Sequence, residues 1–248
     1  MDILIVARMG SSRLPGKTLE KIDSKKTMLG FLISRLKKSS KISRVILATS
    51  NLTNDNVLSD WADNNNILVY RGDSENVLKR ISNCVKNFNI DRFAFILGDN
   101  PLIDHQLLDH CINLYDNKTG LDFLTTHSME FSKYHNSENM FPVGIRIQIM
   151  NRSTINQINN EVKNNFNQEH STSYIIENLK SFKTFFVKPV GEFSDYALPN
   201  YNFAVNTSEQ LNCIKKIVLK LEDLPNFKLS DVIEIVTKNK NEFNNIKL

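Results

Sequence analysis

Cysteine is scarce in this chain, long apolar runs and a large excess of either charge are missing, and each shortage excludes a class of protein. The 248 residues contain three cysteines, Cys84, Cys111 and Cys213. They are odd in number, far apart and without a paired C-x-x-C spacing, so neither a disulfide scaffold nor a zinc ribbon is expected. The apolar run near the N-terminus, Ile3 to Ala7, stops at Arg8, too short for a signal-peptide core or a membrane span. A soluble, cytoplasmic protein is the expectation. Basic residues number 31 and acidic residues 27, a net charge of +4, and the two signs are interspersed, which is too mild to mark a nucleic-acid binder. Glycine, alanine and arginine are sparse while Asn, Lys and Ile abound, the bias of an A/T-rich genome, so a surface asparagine carries little meaning. The length suits one large domain whose core needs no metal or disulfide to hold it.

What is present is an alternation of short apolar runs with helical patterns, the signal for a largely parallel sheet covered on both faces. Ile3 to Ala7, Val45 to Ala48, Ile67 to Tyr70 and Phe93 to Leu97 read as strands. Helices are expected through Met28 to Leu36, through Val57 to Ala62, from Ser74 and Glu75 through Val77 to Phe88, and from Asp104 through Leu114. Ligands of open α/β sheets bind beyond the carboxyl ends of the strands, which gathers Arg8, Thr49, Arg71 and Asp99 near one crevice. Past residue 121 the strand candidates are Leu121 to Thr125, Val143 to Ile149 and Thr184 to Lys188. The Asn-rich stretch 151–168 keeps Ile155, Ile158, Val162 and Phe166 at helical spacing and reads as one helix with a solvated face. Thr207 caps a last long helix through Leu211, Ile214, Ile217, Val218 and Leu221, stopped by Pro225.

The densest chemistry lies in Ala7-Arg8-Met9-Gly10-Ser11-Ser12-Arg13-Leu14-Pro15-Gly16-Lys17, between the first strand and the first helix. Glycines let backbone N–H groups approach phosphate oxygens, Arg supplies forked donors and Lys a point charge, so the loop suits a polyanion such as a nucleoside triphosphate. A solvated basic turn is the plain alternative, disfavoured by its place at the ligand end of the sheet. A P-loop, G-x-x-x-x-G-K-[ST], of an ATP or GTP phosphotransferase shares the ending Gly16-Lys17-Thr18. Its first glycine, however, falls on Ser11, and Pro15 removes a donor from the turn. Asp99 follows a buried strand beside Gly98, which permits close approach of a metal-bound phosphate; the bland reading is a turn aspartate. His105, Asp109 and His110 sit on the wet side of a helix rather than around a metal.

At the loop the chain resembles the spore-coat-polysaccharide-type cytidylyltransferases, relatives of the enzymes that make CMP-activated 3-deoxy-octulosonic and sialic acids. Arg8 to Lys17 is similar to the signature A-R-M-G-S-T-R-L-P-G-K. Ala48-Thr49-Ser50, Arg71-Gly72-Asp73-Ser74-Glu75-Asn76-Val77-Leu78 and Gly98-Asp99-Asn100-Pro101-Leu102-Ile103-Asp104 resemble A-T-S, R-G-S-E-D-D-V-L and G-D-C-P-L-I-D. Phe141-Pro142-Val143-Gly144, Glu169-His170-Ser171-Thr172 and Val205-Asn206-Thr207 match F-P-x-G, E-H-V-T and V-D-T more loosely.

The resemblance implies a three-layer, Rossmann-like α/β nucleotidyltransferase fold of the glycosyltransferase-A type, with a mixed, mostly parallel sheet. It implies one domain over 1–248, with a nucleotide half (1–120), an acceptor and dimerisation region (121–190) and a C-terminal, metal-side part (191–248). The implied activity is transfer of CMP from CTP to a sugar acid, sugar phosphate or related acceptor, with Mg²⁺ and release of pyrophosphate, by a homodimer with no nucleic-acid or membrane partner. Arg8, Lys17 and Asp99 would be catalytic. The nucleotide would be held by Ala7, Arg8, Gly10, Ser11, Arg13, Lys17, Thr49, Ser50, Arg71, Arg80 and Gly98, the acceptor by Gly144 and His170, and the metal by Asp99 and Asn206. The chain departs from the pattern at Asn206, Asn202, Gln148 and Gln210, where the family carries charged side chains. An altered metal half-site, or a catalytically silent nucleotide-binding relative, follows from those amides. A phosphate or phosphonate acceptor would need no general base; a hydroxyl would.

Overall fold

Branched apolar side chains pointing to both sides of each central strand force helices onto both faces of the sheet. The computed structural model describes residues 1–131, 139–221 and 226–248. In chain order its first half runs β1 (Asp2–Val6), α1 (Met28–Leu36), β2 (Val45–Ser50), α2 (Asn56–Asn64), β3 (Leu68–Gly72), α3 (Val77–Asn87), β4 (Arg92–Leu97) and α4 (His105–Asn117). The second half runs β5 (Phe123–Thr126), β6 (Gln148–Asn151), α5 (Arg152–Glu161), α6 (Asn165–Glu169), α7 (Ser173–Glu177), β7 (Thr184–Val187), α8 (Ser208–Lys220) and α9 (Leu229–Lys238). The strands form one sheet in the order β3-β2-β1-β4-β6-β5-β7. β3, β2, β1 and β4 are parallel, β6 is antiparallel to both β4 and β5, and β7 returns parallel to β5. Along β1, Ile3 and Ile5 enter the core shared with α1, α2, α4, α8 and α9, whereas Leu4 enters the one shared with α3, α5 and α7. This is the expected three-layer, mostly parallel architecture.

Several boundaries differ from the sequence reading. α3 starts at an Asn76 cap, which accepts from Lys79 N, because the Asp73 carboxylate accepts from Glu75 N and Asn76 N and holds the preceding residues in a turn. The strand expected from Val143 begins only at Gln148: Val143 pairs with Asn202 instead, and Gly144 has φ +88. The single helix expected over 151–168 breaks after Glu161, and Asn164 caps a new one by accepting from Asn167 N. Phe166, expected on the buried stripe, is 58% exposed. Thr207 does cap α8, in a reciprocal pair with Gln210; Pro225, the expected stop, lies outside the described residues. Asp109, expected on a wet face, accepts from the hydroxyls of Ser39 and Ser40 and ties α4 to the α1–β2 connection. No described helix is long and apolar enough to cross a membrane.

One polar cluster is wholly internal. Arg35 donates from Nε to Ile103 O (2.9 Å) and from Nη1 to Phe227 O (3.2 Å), and its guanidinium lies 3.5 Å over the Phe227 ring. Asp104 caps α4 and also accepts from Tyr196 Oη (3.1 Å) and Leu229 N (2.9 Å), joining α4 to α9. Burial pulls the Arg35 pKa down to about 10 against the attraction of Asp104.

Candidate active site

Where β1 and β4 end, their connections form one side of a cavity of about 550 Å³, a size that suits a nucleotide-scale ligand. The two strands approach closely there. A Cβ on Gly98 would stand 2.7 Å from Ala7 Cβ and 3.1 Å from Val6 O, so only glycine lets the β4 turn lie against the start of the cationic loop. The loop itself is braced from below by Asp55, a buried carboxylate that accepts from Met9 N (2.7 Å), Ser50 N (3.1 Å) and the Ser50 hydroxyl. Thr18 Oγ1 donates to Arg8 O at 3.3 Å.

Lys17 carries the centre of the site. Its ammonium, on a side chain only 10% exposed, donates to Asp99 Oδ2 (2.9 Å), Val205 O (2.6 Å) and Asn206 Oδ1 (3.3 Å). All three ammonium donors are thereby used. Arg13 Nη2 also donates to Asn206 Oδ1, at 2.9 Å. Gln210 fixes the backbone beneath by accepting from Asn206 N (2.7 Å). Asp99 Oδ1 is different: it is buried and has no hydrogen-bond partner. A carboxylate oxygen taken from water without a donor costs free energy that a cation would recover. An unpartnered anionic oxygen, with an amide oxygen sharing the same ammonium, is a donor set of the kind a hard divalent cation accepts.

Across the cavity stands a wall built from 166–177 together with Glu130 and Arg146. Arg8 bridges the two sides, donating from Nη1 to Ser74 O and from Nη2 to Glu169 Oε1, both at 3.0 Å. Arg80 forms part of the floor. It is 1% exposed, spends Nη1 on Asp73 O (2.6 Å), and leaves Nε and Nη2 buried without partners. Burial, with the nearby Arg8 charge adding to it, lowers the Arg80 pKa to about 10. A buried guanidinium with two idle nitrogens is stabilised by an arriving anion. Arg146 lies 3.4 Å from Glu130, with its Nε buried and unpartnered. Gln148 and Thr172 pair within the wall at 3.1 Å.

Residues 3–241 match the protein-family description "Cytidylyltransferase". The chain belongs to the cytidylyltransferase family. Among relatives, the spore coat polysaccharide biosynthesis protein SpsF of Bacillus subtilis is 28% identical over 96% of this chain and 95% of its own length. A cytidylyltransferase structure from Leptospira borgpetersenii superposes with a TM-score of 0.87 at 29% identity, covering 100% of this chain and 98% of the other. A CTP complex of CMP:2-keto-3-deoxy-manno-octonic acid synthetase shares the fold, with a TM-score of 0.62 at 16% identity over 88% of this chain and 98% of the other.

In this cytidylyltransferase the residues singled out from sequence divide into two groups. Ala7, Arg8, Ser11, Arg13, Lys17, Arg80, Gly98, Asp99, His170 and Asn206 all line the cavity. Gly10, Thr49, Ser50, Arg71 and Gly144 are not on its lining, and most of them are occupied elsewhere. Thr49 is buried, Ser50 serves Asp55, and Arg71 donates to Ser50 O (3.1 Å) and Leu52 O (2.8 Å), securing the end of β2. Gly144 packs on the Phe203–Ala204 backbone, where a Cβ would collide with Ala204 N; its glycine serves that crossing. The P-loop alternative fails on geometry as well as on family. Ser11 N and Gly16 N both donate to Met9 O and Lys17 N donates to Leu14 O, so the donors a P-loop turns toward phosphate are closed within the loop. Glu130, Arg146 and Glu177 line the cavity without having been expected. They come from three separate segments with no spacing signature, and only the fold brings them together.

Proposed function

We propose that the protein transfers CMP from CTP to an oxygen of a sugar-type acceptor and releases pyrophosphate. The observation that supports this most is Lys17 binding Asp99 and Asn206 across the ends of β1 and β4, with Arg8, Arg13 and Arg80 around the same cavity. Such a cluster lowers the energy of charge building on a leaving pyrophosphate, and it is preorganised, so little reorganisation is needed during the reaction. The acceptor oxygen forms its bond to the α-phosphorus as the bond from that phosphorus to the bridging oxygen breaks; an ionised phosphate or phosphonate oxygen carries no proton, and a hydroxyl gives its proton to a base, water included. Arg8 and Arg13 face the departing charge, and the 166–177 wall orients the acceptor for in-line attack. Asp99, through Oδ1, and Asn206 would hold Mg²⁺. When bound, that ion would neutralise negative charge on the triphosphate.

The acceptor reading draws on the relatives. One 27% identical over half of this chain is a 3-deoxy-manno-octulosonate cytidylyltransferase, and SpsF belongs to polysaccharide biosynthesis by its name. A sugar acid, a sugar phosphate or a phosphonate is accordingly the acceptor class we infer, used by a cytoplasmic homodimer that associates through 121–190. Pyrophosphate release measured with each of the four nucleoside triphosphates and Mg²⁺, against a panel of these acceptors, tests the reading. CTP is expected to be preferred at least tenfold. Equal use of ATP or GTP, or failure of Mg·CTP to bind at all, overturns it.

A further inference from the structure

Among the described ion pairs, the Arg8–Glu169 contact joins the cationic loop to the opposite wall. Arg13 and Lys17 turn instead to Asn206, and Lys17 also to Asp99, on the metal side. Arg8 is thus the loop cation whose charge is met by a carboxylate of the wall. The pair is accessible, with side chains 37% and 51% exposed, so it is weak and exchangeable. Arg80 stands close enough to feel the Arg8 charge, and its own idle nitrogens add to the local excess of positive charge. A carboxylate that satisfies one of two neighbouring guanidinium groups does what a phosphate oxygen would do there.

We infer that Glu169 is an internal stand-in for the nucleotide tail: it occupies Arg8 until a triphosphate takes the guanidinium from it. Glu169 is therefore a positioning residue, acting on CTP through Arg8. Because it ends α6, on the wall facing the loop, the exchange leaves the Glu169 carboxylate free on that wall when the nucleotide enters. The inference rests on the CTP reading above and deepens it.

Isothermal calorimetry of Mg·CTP with the full-length wild type, Glu169→Gln and Glu177→Gln decides the matter. Glu177 lines the same cavity but accepts from Asn167 Nδ2 at 3.0 Å rather than from a cation. Glu169→Gln is expected to tighten CTP binding about three- to fivefold at low salt, the range open to an exposed pair, with the gain shrinking as salt screens it. Glu177→Gln should change affinity by less than half as much. A merely structural Glu169 would weaken binding on substitution or leave it unchanged, and either result overturns the inference while leaving the CTP reading intact. Equal tightening by both variants reduces the effect to general charge removal and also overturns it. A wild type that does not bind Mg·CTP defeats the CTP reading itself and the inference with it.

Discussion

At the scale of single residues, the centre of the site is a lysine with no idle donor. Lys17 meets two side chains and a main-chain carbonyl, so its removal leaves Asp99 Oδ2 and Val205 O without this donor and Asn206 with Arg13 alone. Lys17→Ala is expected to lower kcat/KM for pyrophosphate release about 100-fold or more, the usual cost of losing one charge-stabilising donor. Steady-state assays at saturating Mg²⁺ read this directly; a loss under fivefold would move Lys17 out of the machinery. This lysine was legible in the sequence because a loop dense in cations after a buried strand has few other uses. Its partner Val205 O was not, since a main-chain carbonyl carries no side-chain signal. The amides at Asn206 and Gln210 looked like losses of charge; in the fold one receives two cations and the other pins the first one's backbone.

At the scale of elements, the loop keeps its shape through a carboxylate outside it. Asp55, just ahead of α2 and 2% exposed, holds Met9 N together with the end of β2, so β2 and the loop move as one body. Replacing it with alanine leaves buried donors unpaired, at a cost of about 1–3 kcal/mol, and lets the loop drift. Asp55→Ala should lower the urea midpoint and raise KM for CTP several-fold with a smaller change in kcat; an unchanged KM would contradict a bracing role. Sequence reading placed Thr49 and Arg71 near the ligand because they lie at strand ends, and Ser50 through the family resemblance. The side chains of Ser50 and Arg71 turn to hydrogen bonds that hold β2 and the loop together, while the buried Thr49 hydroxyl has no partner among the described residues. The first-half strands were legible because a buried parallel strand is a continuous apolar run. Val143 to Ile147 places apolar residues at alternate positions yet is not a strand, since its segment crosses Phe203–Ala204 at Gly144, a long-range contact that local periodicity does not register.

At the scale of the whole molecule, burial of weak acids sets the alkaline limit of stability. Burial pushes the Cys84 thiol up to about 12 from an ordinary 9.0, and raises Cys111 further. It raises the Tyr115 phenol to about 12 from 10.0, and raises Tyr196 as well. In the unfolded chain these groups lose protons from about pH 9 upward while the native protein retains them. The native state then binds more protons than the unfolded one, and stability falls with rising pH. Arg35 and Arg80, each lowered to about 10 from 12.5, have the opposite sign and offset part of the loss only from about pH 10. Tm should hold steady between pH 7 and 8.5 and drop by several degrees by pH 10.5 in scanning calorimetry; a flat profile would show that the buried thiols and phenols do not set this limit.

The lysine that organises the site donates to a carbonyl 188 positions further along the chain. On a translating ribosome, the cationic loop is made first and its counterpart only 188 residues later. An emerging chain can pair its leading strands, but the ammonium of Lys17 lacks this acceptor until Val205 has been made and has docked.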